Sequence, residues 1–342
     1  MVTTHFDPNI YVLCFDDMFA LIALYVDDLI ITENNQEMID MIKKDLMEQF
    51  EMTDLSLMHY CLGVEVWQKG HEVGLTQVKY VKELLHRFRL QDCKPVNTPI
   101  EPSKKLSKLD ESQSFDATLY IQLVGSLIYL TTTRPDICYV VGIVSQFMAA
   151  PTKTHWKTAK RILRHVKGTS EYGLIYKKHD GLPELCGYVD ADWGGDYDDR
   201  RSTTGYVFQF CGSCFSWSSK KQSTISLSTT EAEYKAMCSA AQEAIWLRQI
   251  LEEIGMRQKN PTTLHSDSQS GIQLAKNPVF HARTKHIEIQ YHFIRVGLLS
   301  REIHVVHCST EEQLADIFTK PLVHLQNQRL ISCFVQFVQE LP

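Results

Sequence analysis

Residues 229–254 carry one long apolar stripe with a single carboxylate on it. Glu233, Met237, Ala240, Ala244, Leu247, Leu251 and Ile254 recur at alternating steps of four and three residues, the period of one helix face. A stripe of that length needs a broad apolar partner. The segments before it supply one, because 185–191, 204–210 and 214–218 read as strands in quick succession. After the helix come a strand at 263–266, a short helix from Ser268, a helix around 285–299, a strand at 303–307 and a helix from Thr310. Three antiparallel strands followed by alternating helices and strands fit a mixed α/β sandwich.

A carboxylate on a buried stripe needs a partner or a metal. Ser228 and Glu231 have the spacing of a capping box, which gives Glu231 a structural task and points it roughly 200° away from Glu233 around the helix axis. Three more acidic residues sit at strand ends or helix starts. Asp190 lies in GYVDADWGG, Asp267 in LHSDSQS and Asp316 in EEQLADIFTK, where Ser309 and Glu312 form a second capping box that leaves Asp316 in the second helical turn. Taken singly, such residues are more often solvated or structural. As a set, Asp190, Glu233, Asp267 and Asp316 suit a pair of divalent ions roughly 3.5–4 Å apart, which bind an attacking water and stabilise the leaving oxygen of a phosphodiester.

The N-terminal part poses a parallel question. Residues 23–32 read ALYVDDLIIT, two apolar runs around Asp27 and Asp28. The runs predict a β-hairpin with Asp27-Asp28 as its turn, although two adjacent like charges repel and Asn-Gly or Asp-Gly would make the turn without that cost. A hard divalent cation would relieve the repulsion. Downstream, 36–50 and 77–88 read as helices, 61–67 and 72–76 as a hairpin, and 92–115 as a linker rich in Pro, Ser and Lys. Helices are expected at about 117–131 and 135–148. Residues 151–167 form a basic amphipathic helix: Trp156, Ala159, Leu163 and Val166 share one face, and Lys153, Lys157, Lys160, Arg161, Arg164 and Lys167 fill the rest. Such a helix either neutralises phosphates or is an ordinary solvated surface. Arg161-Ile-Leu-Arg164 also spells the RxLR string of some secreted pathogen effectors, which at mid-helix is read as coincidence.

Composition narrows the classes. The chain has 342 residues, 44% hydrophobic and 22% charged, with 10 scattered cysteines, an ordinary globular balance for two or three domains. The opening MVTTHFDPNI lacks the basic start and apolar core of a secretory leader, so a reducing intracellular setting is expected. No apolar run approaches the roughly 18–20 residues of a membrane span. Cys211 and Cys214 have zinc-like spacing without a second pair and read as a hairpin turn. Net charge is −6 overall, but residues 1–60 carry −10, 61–180 carry +7 and the remainder −3. A basic middle between acidic flanks suggests a polyanion track beside carboxylate-rich sites.

The order of an Asp in a first strand, a Glu in AEY, an Asp in SDS and an Asp in a late AD pair resembles ribonuclease H. The wording around these residues is similar to the Pol polyprotein of copia-type LTR retrotransposons: YVDADWGGDYDDRRSTTGYVF, WSSKKQSTISLSTTEAEYKA, HARTKHIEIQYHFIR and QLADIFTKPL, with YVDDLIIT, HYCLGVEV, LVGSLIYLTTTRPDI and HWKTAKRILRHVKGT upstream. The match runs from about residue 6 to about 322.

The resemblance implies a ribonuclease H-like mixed five-stranded sheet with flanking helices, preceded by a partial α+β reverse-transcriptase palm and a helical connection. The expected divisions are a palm at 1–91, a linker at 92–116, a thumb or connection-like region at 117–180, a ribonuclease H-like domain at 181–320 and a tail at 321–342. It implies metal-dependent, endonucleolytic hydrolysis of the RNA strand of an RNA–DNA hybrid, with two Mg²⁺, or Mn²⁺ in their place, on Asp190, Glu233, Asp267 and Asp316. Asp27 and Asp28 match the YVDD carboxylates of the polymerase. The family's polymerase takes a third carboxylate from an earlier palm strand, and 26 residues precede Asp27, so polymerase activity is not expected unless a longer chain extends upstream. His307 is the candidate for the mobile histidine of cellular ribonucleases H, with His281, His286 and His292 as rivals. Lys157, Lys160, Arg161 and Arg164 are the expected nucleic-acid contacts. The rival expectation is an inert transposon relic that at most binds nucleic acid.

Overall fold

The structure, a computed structural model, describes residues 2–15, 18–276 and 288–338. Its first unit is a small antiparallel sheet in chain order: β1 (Val2–Thr3), β2 (Ile10–Phe15), β3 (Met18–Tyr25) and β4 (Asp28–Glu33). Helix α1 (Gln36–Gln49) starts where the Asn35 side chain accepts from the Glu37 and Met38 amides, a standard N-cap. It seals one sheet face through a modest core of Ala20, Ile22, Met38 and Ile42. The expected turn shifts by one residue. Tyr25 pairs with Asp28, so the two turn residues are Val26 and Asp27, and Asp28 opens β4. Val26 takes a positive φ of 54°, strained for a β-branched side chain.

The middle of the chain is a second unit. Strands β5 (Tyr60–Cys61), β6 (Val64–Lys69) and β7 (Glu72–Thr76) form a meander. Helices α2 (Val78–Arg87), α3 (Ala117–Leu130), α4 (Cys138–Ser145) and α5 (Lys153–Gly168) share one core that includes Leu84, Leu123, Leu127, Val144, Ile162 and Leu163. Pro135 stands at the start of the 3₁₀ turn that leads into α4, where its missing amide costs nothing. The Arg134 guanidinium, itself buried, grips the buried Asp136 carboxylate with Nε at 2.8 Å and Nη2 at 2.7 Å and also donates to Thr169 O at 2.9 Å. That fork ties the start of α4 to the end of α5. Strand β8 (Tyr172–Lys177), which periodicity did not reveal, pairs with β7. The meander at 60–76 therefore continues into residues that follow α5, across the expected divisions at 91 and 116.

The third unit holds a five-stranded mixed sheet. Strands β9 (Cys186–Ala191), β10 (Thr203–Phe210) and β11 (Ser213–Lys221) are antiparallel, and Cys211-Gly212 forms the two-residue turn between the last two. Helix α6 (Thr229–Glu253) runs across the sheet. Then come β12 (Thr262–Ser266), α7 (Gln269–Lys276), α8 (Glu288–Leu299) and β13 (Ile303–His307). The order is β11-β10-β9-β12-β13, with β12 parallel to β9 and β13 parallel to β12, the mixed α/β arrangement expected. Met237, Ala240, Ala244, Leu247 and Leu251 of the α6 stripe are all buried in its core.

Two expectations for the end of the chain change. The helix from Thr310 is instead a loop leading into a 3₁₀ turn at Leu314–Phe318. Buried Gln313 explains the change: its side chain accepts from the Ala315 amide at 3.1 Å and donates to Val189 O at 3.0 Å, tying the turn to β9. The tail is part of the fold. Helix α9 (His324–Phe334) buries Leu330, Ile331 and Phe334 with Leu174, Val207 and Phe318, and β14 (Gln336–Phe337) pairs with β8. Among the described residues no helix is long and apolar enough to cross a membrane, and all ten cysteines are free.

Candidate metal centre

Asp190 is the fifth residue of β9, and its carboxylate is buried with only 2% exposure. Glu233 sits near the start of α6, and Asp267 just beyond the end of β12. Parallel pairing of β12 with β9 and the packing of α6 against both strands bring the three together: one carboxylate oxygen from each lies within 4.8 Å of the others. This is the one group of three or more such ligands among the described residues. Helix α7 approaches α6 closely here. A Cβ on Gly271 would meet Met237 Cε at 2.5 Å and Glu233 Cβ at 3.5 Å, so glycine permits the packing that holds Glu233 in place.

Threonine hydroxyls support the two aspartates of the triad. Thr319 donates its hydroxyl to Asp190 Oδ2, and Thr310 donates to Asp267 Oδ2 at 3.0 Å. Glu233 Oε2 is buried without a hydrogen-bond partner. Burial, then the charges of Asp190 and Asp267, push the Glu233 carboxyl up to about 9; burial likewise raises Asp190. A divalent cation would relieve the repulsion in a cluster that disfavours its own ionisation. Hard oxygen donors, close approach and an unpartnered buried oxygen fit a divalent ion such as Mg²⁺.

Asp316 stands apart from the triad. It is 1% exposed in the 3₁₀ turn. Lys320 Nζ lies 2.7 Å from its Oδ1 and 3.6 Å from Asp190 Oδ2, and Gln326 of α9 donates to its Oδ2 at 3.3 Å. Burial, then Asp190, raises the Asp316 carboxyl to about 6. The four expected carboxylates thus form a triad and an outlier bridged by an ammonium group. Lys320, Thr319, Gln313 and Gln326 were missed as site residues. All but Gln326 sit in the QLADIFTKPL string, whose only site signal in the sequence is its aspartate.

Glu231 faces away from the triad, as helix geometry requires, but its partners differ from a capping box. Its carboxylate accepts from the Leu227 amide at 2.9 Å and pairs with Lys235 Nζ at 2.8 Å, while Ser228 Oγ accepts from the Glu231 amide at 3.2 Å. His307 is exposed at the end of β13, in register with Ser266, next to Asp267. His281 and His286 lie outside the described residues, as does the side chain of His292.

The remaining sequence candidates lie elsewhere. Asp27 and Asp28 are exposed at a hairpin tip. In α5 the basic residues divide. Arg161 donates to Thr98 O at 3.2 Å and Glu101 Oε1 at 2.9 Å, and Arg164 donates to Lys94 O at 2.9 Å. Both clamp the 92–116 segment. Lys157 remains exposed, and Lys160 lies over the Trp156 ring at 5.9 Å.

Residues 4–102 match the family described as reverse transcriptase (RNA-dependent DNA polymerase). The chain is 41% identical over 93% of its length to the retrovirus-related Pol polyprotein from transposon TNT 1-94 of Nicotiana tabacum, and spans 24% of that protein. It is 33% identical to a putative transposon Ty5-1 protein of Saccharomyces cerevisiae, covering 62% of this chain and 70% of the relative. It is 50% identical over 129 residues to secreted RxLR effector protein 161 of Plasmopara viticola, covering 37% of this chain and 90% of that one. Among solved structures, a ribonuclease H1 isolated from compost matches at TM-score 0.31 and 16% identity, over 40% of this chain and 92% of its own. A foamy viral protease-reverse transcriptase with double-stranded DNA matches at TM-score 0.49 and 12% identity, over 84% of this chain and 46% of its own. The chain thus spans about a quarter of the full-length Pol relative, and it belongs to the Pol polyprotein family of copia-type LTR retrotransposons.

Proposed function

We propose that this chain hydrolyses the RNA strand of RNA–DNA hybrids endonucleolytically, with divalent metal at Asp190, Glu233 and Asp267 and with Asp316 beside them. The observation that carries the reading is the triad itself, with its oxygens within 4.8 Å of one another and Glu233 Oε2 buried and unpartnered. When bound, the metal would supply Lewis-acid stabilisation of the phosphoryl oxygens and of the attacking water. The chain supplies geometry. β9 and β12 present Asp190 and Asp267 from adjacent parallel strands, α6 brings Glu233 over them, and the Thr319 and Thr310 hydroxyls fix the two aspartates. Positioning of this kind is worth several kcal/mol of barrier. His307, exposed near Asp267, is the side chain proposed to move a proton.

In the same reading, Lys157 and Lys160 contact the hybrid's phosphates, while Arg161 and Arg164 hold the chain segment behind them. The rival is a nucleic-acid-binding remnant without turnover. Incubating the purified chain with a labelled hybrid and Mg²⁺ separates the two: cleavage of the RNA strand that Asp190→Asn abolishes supports hydrolysis, and binding without cleavage supports the remnant.

A further inference from the structure

Lys320 is a cation already inside the candidate centre. Its ammonium lies between Asp316 Oδ1, at 2.7 Å, and Asp190 Oδ2, at 3.6 Å. We propose that this ammonium occupies the position of a second divalent ion, so that the free protein holds one ion on the triad and admits another only when Lys320 moves away. The proposal rests on reading the triad as a metal centre.

Three observations carry it. First, the carboxylates do not converge equally: Asp190, Glu233 and Asp267 share one small volume, and Asp316 is engaged by Lys320 instead. Second, Asp190 belongs to the triad and also faces the ammonium that Asp316 holds, so an ion placed between Asp190 and Asp316 would sit where Nζ now is. An ammonium and a divalent ion at such separation repel strongly, and only one fits. Third, the side chain has somewhere to go. Lys320 is 39% exposed, while the Asp190 and Asp316 side chains are 3% and 1% exposed. The lysine can swing toward solvent, whereas the carboxylates are fixed by Thr319 and Gln326. A phosphodiester arriving at the site offers the displaced ammonium a new anionic partner, which would couple loading of the second ion to the presence of nucleic acid.

The test counts bound metal rather than turnover. Mn²⁺ binding to the full chain, without nucleic acid, is followed by electron paramagnetic resonance for the parent, Lys320→Met, Lys320→Gln and Lys320→Arg, each checked for folding by circular dichroism. Asp267→Asn, which alters the triad alone, reports whether the ion counted is the one on the triad. The parent is expected to bind one ion, with a second at least about tenfold weaker. Both neutral variants are expected to tighten the second site by about tenfold or more while leaving the first within about threefold. Lys320→Arg, which keeps the charge, is expected to behave like the parent. If the parent binds one ion that Asp267→Asn abolishes, yet neither neutral variant gains a second, the Lys320 proposal falls and the metal centre stands. If Lys320→Arg opens the site as the neutral variants do, charge is not the block and the proposal falls. If the parent binds no ion sensitive to Asp267→Asn, the metal reading falls and takes the proposal with it.

Discussion

Gly205 stands opposite Asp190 in the register of β10 with β9, and a methyl group on it would lie 2.6 Å from Thr319 Cγ2 and 2.7 Å from Phe318 Cβ. The missing side chain is what lets the 3₁₀ turn close over Asp190 and bring the Thr319 hydroxyl to it. Gly205→Ala is therefore expected to push that turn outward, costing about 1–3 kcal/mol by overpacking. Metal affinity is expected to weaken as well, because Asp190 loses its hydroxyl donor. Chemical denaturation and Mn²⁺ titration of the same variant check both effects. A stability equal to the parent's would show that the turn relaxes freely.

The Glu233 carboxyl gives the metal-free protein a pH signature. Its folded value, about 9, lies above the ordinary value of 4.5. The folded chain therefore holds a proton that the unfolded chain releases. That contribution is fully present below about 4.5 and is lost as pH rises toward about 9. With chelator present, parent stability is expected to decline across this window by more than ~1 kcal/mol relative to Glu233→Gln. Saturating Mg²⁺ is expected to offset the decline. Parallel pH curves for parent and variant would contradict the burial and charge repulsion described at this residue.

Glu231 is the internal control. It lies two residues from Glu233, faces away and pairs with the largely buried Lys235. Glu231→Gln is expected to cost about 1–3 kcal/mol, because Lys235 loses its counter-charge, while hybrid cleavage by the folded fraction persists. Loss of cleavage in Glu231→Gln with retention in Glu233→Gln would reverse the helix register.

On α5 the two kinds of basic residue separate by experiment. Lys157→Gln and Lys160→Gln are expected to leave stability within about 0.5 kcal/mol and to flatten the plot of log affinity against log salt by roughly one unit per lost phosphate contact. Arg161→Gln and Arg164→Gln are expected to act mainly on stability, since their guanidinium groups hold backbone carbonyls of 94–98. An unchanged slope in the lysine variants would mark α5 as a solvated face.

Much of this was legible because it repeats. The α6 stripe announced both its helix and the odd position of Glu233, and the parallel strand at 303–307 was readable to the residue. What escaped depends on contacts distant in sequence. Strand β8 is a strand because β7 lies beside it, and β14 because β8 does. The 3₁₀ turn at Leu314–Phe318 replaces the expected helix because Gln313 reaches across to Val189, 124 residues away. The hairpin at Val26-Asp27 is offset by one residue from the acidic pair because Asp28 pairs with Tyr25, a register that neither apolar run specifies. Arg161 and Arg164 had the composition of a phosphate contact, and only the fold showed that the linker carbonyls take their hydrogen bonds.

The most direct measurement is cleavage of the RNA strand in a labelled RNA–DNA hybrid by the parent chain and by folded Asp190→Asn, in Mg²⁺. The amide is nearly isosteric, but it removes one charge from the triad member that Lys320 links to Asp316. The account predicts Mg²⁺-dependent cleavage by the parent and at least a roughly hundredfold loss in the variant, on the order of 3 kcal/mol of barrier. Equal cleavage by the two proteins, or none by a folded, metal-loaded parent, would contradict it.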